Sequence, residues 1–426
     1  MLDNFIEFLK NSPTQYHVCE NVKAILIENG FEPLSETEDW NICEGGKYYV
    51  ERNGCCFLAF TVGSLDNFCY KIATAHTDSP ALKIKENAVM KKGAYATLNV
   101  ERYGSCISYT YFDKPLKVAG RVIKQEGAKL VAQNVVAPFK VNIPSLAIHQ
   151  NRGVNDGLAV NPQTDLQPII GFANECENMQ DFLEKVAGEN VVAHDLFLVN
   201  ADMPYSFGVE NEFLASPRID NLTSVYAIIQ GLLSHSESNG VCVATGLCHE
   251  EIGSLSYEGA ESDFVQNVLR RIAYALRFDD NEYYKALASS FLLSLDNAHA
   301  IHPNHPEKGD PSNPTVMGDG IVIKVHANQA YITDAMSSAV VKTLLTNADI
   351  PYQHFFNRSG EPSGSTLGKS FIRHIGVLGA DIGIAQLAMH SSLECFAKKD
   401  MEYLNKAMAA YYSSDIIKTD DGFIVQ

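Results

Sequence analysis

The sequence predicts an α/β fold in which one α/β domain is split by an inserted, mainly β domain. Three observations carry that prediction. Amphipathic helical stretches alternate with short apolar runs toward both ends of the chain, the pattern of a sheet covered by helices. Between about residues 87 and 213 the texture changes to short β-like pieces with few helical signals. Several apolar runs also end in histidine or carboxylate residues, as strands do where their ends line a site. The 426 residues suffice for two domains, here 1–86 with 214–426, and 87–213.

The elements follow in order. "NVKAILIENG" reads as a helix closing at Gly30, and "GGKYYVERNG" and "CCFLAFTVG" read as strands punctuated by Gly45, Gly46, Gly54 and Gly63. "NFCYKIATAHTDSP" is an apolar strand with a polar end. The insertion offers "ATLNVERYG", "SYTYFD", "LKVAGRVI" and "KLVAQNVV" as β pieces, then "NMQDFLEKVAGE" as a helix. Long units return afterwards. "NLTSVYAIIQGLLSH" and "DFVQNVLRRIAYAL" read as helices, "GVCVATGL" and "SFLLSLD" as strands. No internal repeat or low-complexity tract interrupts them.

Composition narrows the function. With 46% hydrophobic and 20% charged residues the chain has an ordinary globular balance. A formal net charge of −18 argues against nucleic acid or an anionic membrane as partner, since both need a basic face. No apolar run is long enough to span a bilayer, and "MLDNFIEFLKNSPTQYH" lacks the regions of a secretory signal. The 10 cysteines show no C-x-x-C spacing and read as reduced thiols of a cytoplasmic protein.

The chemistry lies at the ends of apolar runs. "KIATAHTD" ends in His76 and Asp78, "GVCVATGLCHEE" in Glu250 and Glu251, "SFLLSLD" in Asp296, and "DIGIAQLAMHSSLE" in His390 and Glu394. Asp220 in "SPRIDNLTS" stands just before a helix. If these strand ends share one sheet edge, two histidines and several carboxylates converge, an N/O donor set that suits zinc, cobalt or manganese. Two histidines serve two ions only if a carboxylate bridges them, and Asp220 is the natural bridge. Each signal alone is weak: His-x-Asp more often marks a hydrogen-bonded histidine, and Glu-Glu more often a solvated turn. In "HAIHPNH", Pro303 breaks any helix that would align His299, His302 and His305, so that run reads as a loop beside the site.

At these residues the chain resembles the aspartyl aminopeptidase family of dinuclear metallopeptidases. The likeness runs from "FLKNSPTQYH" through "AHTDSPALKIK", "LAIHQNRGVNDG", "SPRIDNLTS", "HEEIGSLSYEGA", "DNAHAIHPNH", "IKVHANQAYITD" and "PSGSTLG" to "DIGIAQLAMHSSLE". It implies a three-layer metallopeptidase catalytic domain with an inserted β-rich dimerisation domain. It also implies two divalent metal ions, zinc first, with cobalt or manganese as substitutes. One ion would be held by His76 and Asp296 and the other by Glu251 and His390, with Asp220 bridging.

In the same resemblance Glu250 is the general base, acting on a metal-activated water, and Asp78 orients the His76 ring. Lys324 would select peptide substrates with an acidic N-terminal residue. His149 would reach a neighbouring subunit's site in a homo-oligomer, a dodecamer built from dimers. Some positions depart from the family pattern: His249 replaces an Asn or Asp, "YGSC" a "YGGG"-like run, "NQAY" an "NQRY", and "PSGST" a "PCGST". These departures bear on substrate preference, not on the ligands or the base. Two other readings stay open, an aminopeptidase of broader or neutral specificity and a catalytically weak structural shell.

Overall fold

A computed structural model describes residues 2–235 and 239–426. Its centre is a nine-stranded mixed sheet in the order 32–34, 47–52, 56–62, 241–247, 70–76, 291–295, 378–383, 321–324, 352–355. The four central strands, Val241–Leu247, Tyr70–His76, Phe291–Leu295 and Leu378–Gly383, run parallel. Antiparallel neighbours Cys56–Val62 and Ile321–Lys324 flank them.

A parallel strand covered by helices on both faces is apolar throughout, and every residue of Tyr70–His76 is buried. Successive side chains serve opposite layers: Ala73 and Ala75 join the core beneath helices Gln15–Glu28, Ile219–Ser234 and Lys398–Ser413. Tyr70 and Ile72 join the core beneath Phe264–Ala275, Asp280–Ala288 and Leu367–Ile375. The result is a three-layer arrangement. Lys71, also buried, is satisfied where its Nζ donates to the carbonyls of Tyr412 at 2.9 Å and Ser414 at 2.7 Å.

A second, antiparallel sheet of six strands follows the order 129–141, 116–126, 191–200, 81–92, 95–103, 169–172. It has its own apolar core, into which helix Met179–Ala187 sends Phe182, Leu183 and Val186. A third sheet links Tyr205–Phe207 and Phe213–Ser216 with Glu394–Ala397, Ala385–Leu387 and Ala298–His299.

Two local readings are corrected, and one element went unread. "SYTYFD" is not a strand: Ser108–Tyr111 forms a 3-10 turn, closed where Thr110 Oγ1 donates to the Ile107 carbonyl at 2.7 Å. "DIGIAQLAMHSSLE" is not one strand; it leaves the central sheet at Gly383 and re-pairs in the third sheet at Ala385–Leu387 before His390. The first residues, not read as an element, form the helix Leu2–Asn11, with Phe5, Phe8 and Leu9 buried.

Helix Ile219–Ser234, whose first turn carries Asp220, is held close to Lys398–Ser413 by Gly231. A Cβ there would meet Met408 Cβ at 2.5 Å and its carbonyl carbon at 2.8 Å. Gly231→Ala should therefore destabilise the fold by about 1–3 kcal/mol, measured by denaturant unfolding. Acid should weaken the fold through His17, which is buried with Nδ1 2.9 Å from Thr14 Oγ1. Burial, with Arg218 and Lys117 nearby, lowers its pKa from 6.5 to about 4 against the pull of Glu20. The unfolded chain then binds the extra proton between pH 6.5 and 4, so stability falls as pH falls through that window. The loss is about 3 kcal/mol, and His17→Gln should flatten the stability–pH curve between those limits.

Candidate metal centre and active site

The four parallel strands end on one edge, where the chain turns into loops and side chains converge. His76 closes its strand, and Glu250 and Glu251 lie three and four residues beyond Leu247. Asp296 directly follows Leu295. Asp220 comes from the start of the helix at Ile219, where it and Asn221 depart from helical geometry. His390 arrives on the turn after Ala385–Leu387.

His76 Nε2 lies 3.2 Å from Asp220 Oδ1 and 4.0 Å from Asp296 Oδ1. The other oxygen of Asp220, Oδ2, lies 3.6 Å from His390 Nε2, which is 3.4 Å from Glu251 Oε2. Three overlapping sets keep their donor atoms within 4.8 Å of one another: His76, Asp220 and Asp296; His76, Glu250 and Glu251; and Asp220, Glu251 and His390. All five residues expected to ligate metal, and Glu250, therefore meet here.

The electrostatics call for a cation. Four carboxylates share this volume with one ammonium, that of Lys324, 3.5 Å from Asp296 Oδ2. Burial pushes the Glu250 carboxyl up to about 8, with Asp296, Asp78 and Asp220 adding to it against the pull of His76. Burial likewise drives Glu251 far upward, with Asp220 adding to it. His76 moves the opposite way for a base: burial opposes its charge, but Asp220 and Asp78 outweigh that and raise its pKa. Asp220 Oδ1 and Glu251 Oε1 are buried and accept no hydrogen bond. Orphaned anionic oxygens beside imidazoles in an N/O set fit a divalent ion.

Asp78 is fully buried. The His76 Nδ1 lies 3.0 Å from the Asp78 backbone carbonyl and 3.6 Å from its carboxylate. That carboxylate is chiefly engaged elsewhere, accepting the N–H of Glu250 and of Glu251 at 3.2 Å each and the Tyr103 hydroxyl at 2.7 Å. Tyr103 comes from the inserted sheet, where pairing with Ala81 sets it beside Asp78. Backbone strain gathers here too: Arg218, His249, Ala388 and His390 have φ of 62°, 66°, 59° and 67°. Such left-handed non-glycine residues persist where surrounding bonds over-determine them.

Lys324 is buried within this cluster. Its Nζ donates to the Asn297 carbonyl at 2.9 Å and the Asp296 carbonyl at 3.4 Å, and sits 4.8 Å above the Tyr331 ring. Burial disfavours its charge, but Asp296 and other acidic neighbours raise its pKa. His149 is exposed on a turn of the insertion, and among the described residues no hydrogen bond or ion pair ties it to the cluster. His299 ends the strand Ala298–His299 rather than lying in a loop as expected, and it lines a cavity of about 310 Å³ with His302, Lys308 and Arg358.

A protein-family profile described as "Aminopeptidase I zinc metalloprotease (M18)" matches residues 8–412. The chain belongs to the M18 aminopeptidase family. It is 39% identical to a probable M18 family aminopeptidase 2 of Clostridium novyi (strain NT), across 96% of this chain and 98% of that protein. A protein of the same description from Pseudomonas entomophila (strain L48) is 35% identical, across 96% and 97%. Among solved structures, the cryo-EM structure of the Ape4 and Nbr1 complex superposes with a TM-score of 0.90 at 33% identity, covering 96% of this chain and 85% of that one. The S. cerevisiae mApe1 dodecamer gives 0.81 at 25%, covering 96% and 95%. This M18 protein is thus a metalloaminopeptidase with the family's mixed α/β fold.

Sequence reasoning missed Tyr103, whose strand was read only as part of the insertion. It also missed that the carboxylate of Glu394, grouped there with the metal-type residues, accepts backbone N–H groups instead. Removing the Tyr103 hydroxyl strips a donor from the carboxylate that holds the Glu250–Glu251 turn. Tyr103→Phe should lower metal affinity or kcat by about tenfold with the fold intact, read by chelator competition and steady-state kinetics.

Proposed function

We propose that this M18 aminopeptidase removes N-terminal residues, preferentially Asp or Glu, using two divalent ions, zinc in the first place. The observation that supports it best is Asp220, whose two oxygens face two different histidines, Oδ1 toward His76 at 3.2 Å and Oδ2 toward His390 at 3.6 Å. His76, Asp220 and Asp296 would hold one ion, and Asp220, Glu251 and His390 the other. When bound, the ions would polarise the peptide carbonyl and lower the pKa of the attacking water.

The chain's own residues supply the rest. Glu250, half-buried at the rim of the cluster, accepts the proton of the attacking water on its carboxylate and delivers it to the leaving amine. Asp78 fixes Glu250 by its backbone N–H and His76 through the Asp78 carbonyl, so base and ligand keep one spacing. Lys324 offers the cation that an acidic side chain would seek. His149, exposed on the insertion, would act on a neighbouring subunit, with the insertion as the dimerisation domain of a dodecamer like that of the similar mApe1. No described helix is long and apolar enough to cross a membrane, and no disulfide links the described cysteines. Both features accord with a cytoplasmic enzyme.

One observation favours a broader specificity. The Lys324 ammonium is already engaged by Asp296 and the Asn297 carbonyl, so an acidic substrate must compete for it. Metal-depleted protein reloaded with Zn²⁺, Co²⁺ or Mn²⁺ and assayed on Asp, Glu, Leu and Lys aminoacyl substrates separates the readings. The expected result is metal-dependent release with Asp and Glu far ahead; equal release of Leu sinks the acidic preference but not the hydrolysis. Glu250→Gln should lower kcat by about 10²–10⁴ while bound metal and assembly persist, and unchanged turnover would remove Glu250 from the mechanism.

A further inference from the structure

Glu394 is buried at the metal cluster, yet it belongs to none of the groups that could hold an ion. Its oxygens point at the backbone. Oε2 accepts the N–H of Asp220 at 3.0 Å, and Oε1 accepts the N–H of His390 at 2.8 Å. Gln386 Nε2 also donates to Oε1, at 3.4 Å, and Gln386 Oε1 accepts from Asn297 Nδ2 at 2.7 Å. One carboxylate is therefore bonded to the backbones of two residues whose side chains face the same ion position, and is linked through Gln386 to the residue after Asp296.

The chain geometry gives Glu394 this reach. Strands Phe213–Ser216 and Glu394–Ala397 pair antiparallel, with Ser216 opposite Glu394 at the end of the ladder. Beyond that pair the two chains separate, one running through Pro217 and Arg218 to Asp220, the other back through Ser391 to His390. Both runs pass through left-handed residues, Arg218 at φ 62° and His390 at φ 67°. Beyond the ladder, the Glu394 carboxylate spans the gap between them.

We infer that Glu394 is a positioning residue that sets the spacing of Asp220 and His390, and so the affinity of the ion position these two share with Glu251. The inference rests on the two-ion reading above. Glu394→Gln keeps the side chain's shape but puts an amide donor against one of the two N–H groups. Two of the three ligands on the His390 side, Asp220 and His390, are bonded to Glu394 through their backbones, whereas on the other side only the shared Asp220 is, and His76 and Asp296 make no hydrogen bond to Glu394 among the described residues. The loss should thus fall mainly on the ion of the His390 side.

The test is calorimetric titration of metal-free wild type, Glu394→Gln and His390→Ala with Zn²⁺, joined to visible absorption on titration with Co²⁺. Circular dichroism of each metal-free protein checks folding. Wild type should take two ions. Glu394→Gln should keep the first near wild-type affinity and bind the second about 10- to 100-fold more weakly, with an altered Co²⁺ spectrum for the second equivalent alone. His390→Ala marks the limit of that loss. Two wild-type affinities and an unchanged spectrum in Glu394→Gln overturn the inference while leaving the two-ion reading intact. A single ion in wild type overturns both. Should Glu394→Gln not fold, Glu394→Asp carries the test: it keeps the charge but is one methylene too short to reach both N–H groups, and the same selective loss is expected.

Discussion

The structure turns on one electrostatic problem: Asp220, Glu250, Glu251 and Asp296 meet two imidazoles and one ammonium at the edge of a sheet. Like charges removed from water raise one another's pKa and resist ionisation. At Asp220 burial is outweighed by His76, His390 and Lys324, which lower its pKa, yet Lys324 is the one cationic side chain within 4.0 Å of any of the four among the described residues, the histidines aside. Burial leads the upward shifts of Glu250 and Glu251, and neighbouring carboxylates add to both. A bound divalent cation would offset this charge, and its binding energy would then also be folding energy for the loops that carry the ligands.

Before any ion binds, those loops must be held against their own repulsion, and two further carboxylates do this through backbone N–H groups. Asp78 joins the end of the His76 strand to the Glu250–Glu251 turn, and Glu394 joins the Asp220 segment to the His390 turn. The two differ in how the chain treats their charge. The His76 ring and the Tyr103 hydroxyl outweigh burial at Asp78 and lower its pKa. Burial and the proximity of Asp220 raise that of Glu394. Asp78 draws its third donor, Tyr103, from the second sheet, so that sheet completes the site.

Much of this was legible in the sequence because period and polarity agree. Short, mainly apolar runs such as "YKIATAH" suit buried strands between helices, and a polar residue at the end of such a run lies at the sheet edge. The convergence of His76, Glu251 and Asp296 follows from that rule. His390 does not: its run crosses from one sheet to another at Gly383, a change that no periodicity marks. Tyr103 was hidden for a different reason. Its place beside Asp78 depends on the register that sets it opposite Ala81, and register is a property of two strands, invisible in either one alone.

If Lys324 selects the substrate as proposed, its position would couple chemistry to selection. Its ammonium lies against Asp296, whose other oxygen faces His76. An ion held by Asp296 would draw electron density from that carboxylate and weaken its hold on Lys324, since one anion cannot fully satisfy two cations. Lys324 would then be most available to an acidic substrate when the ion is in place. The buried Asn297 carbonyl, 2.9 Å from Nζ, would hold the ammonium beside Asp296 during that exchange. On that proposal the same charge would steady the ligand set and then turn to substrate, and a neutral side chain would gain nothing from it.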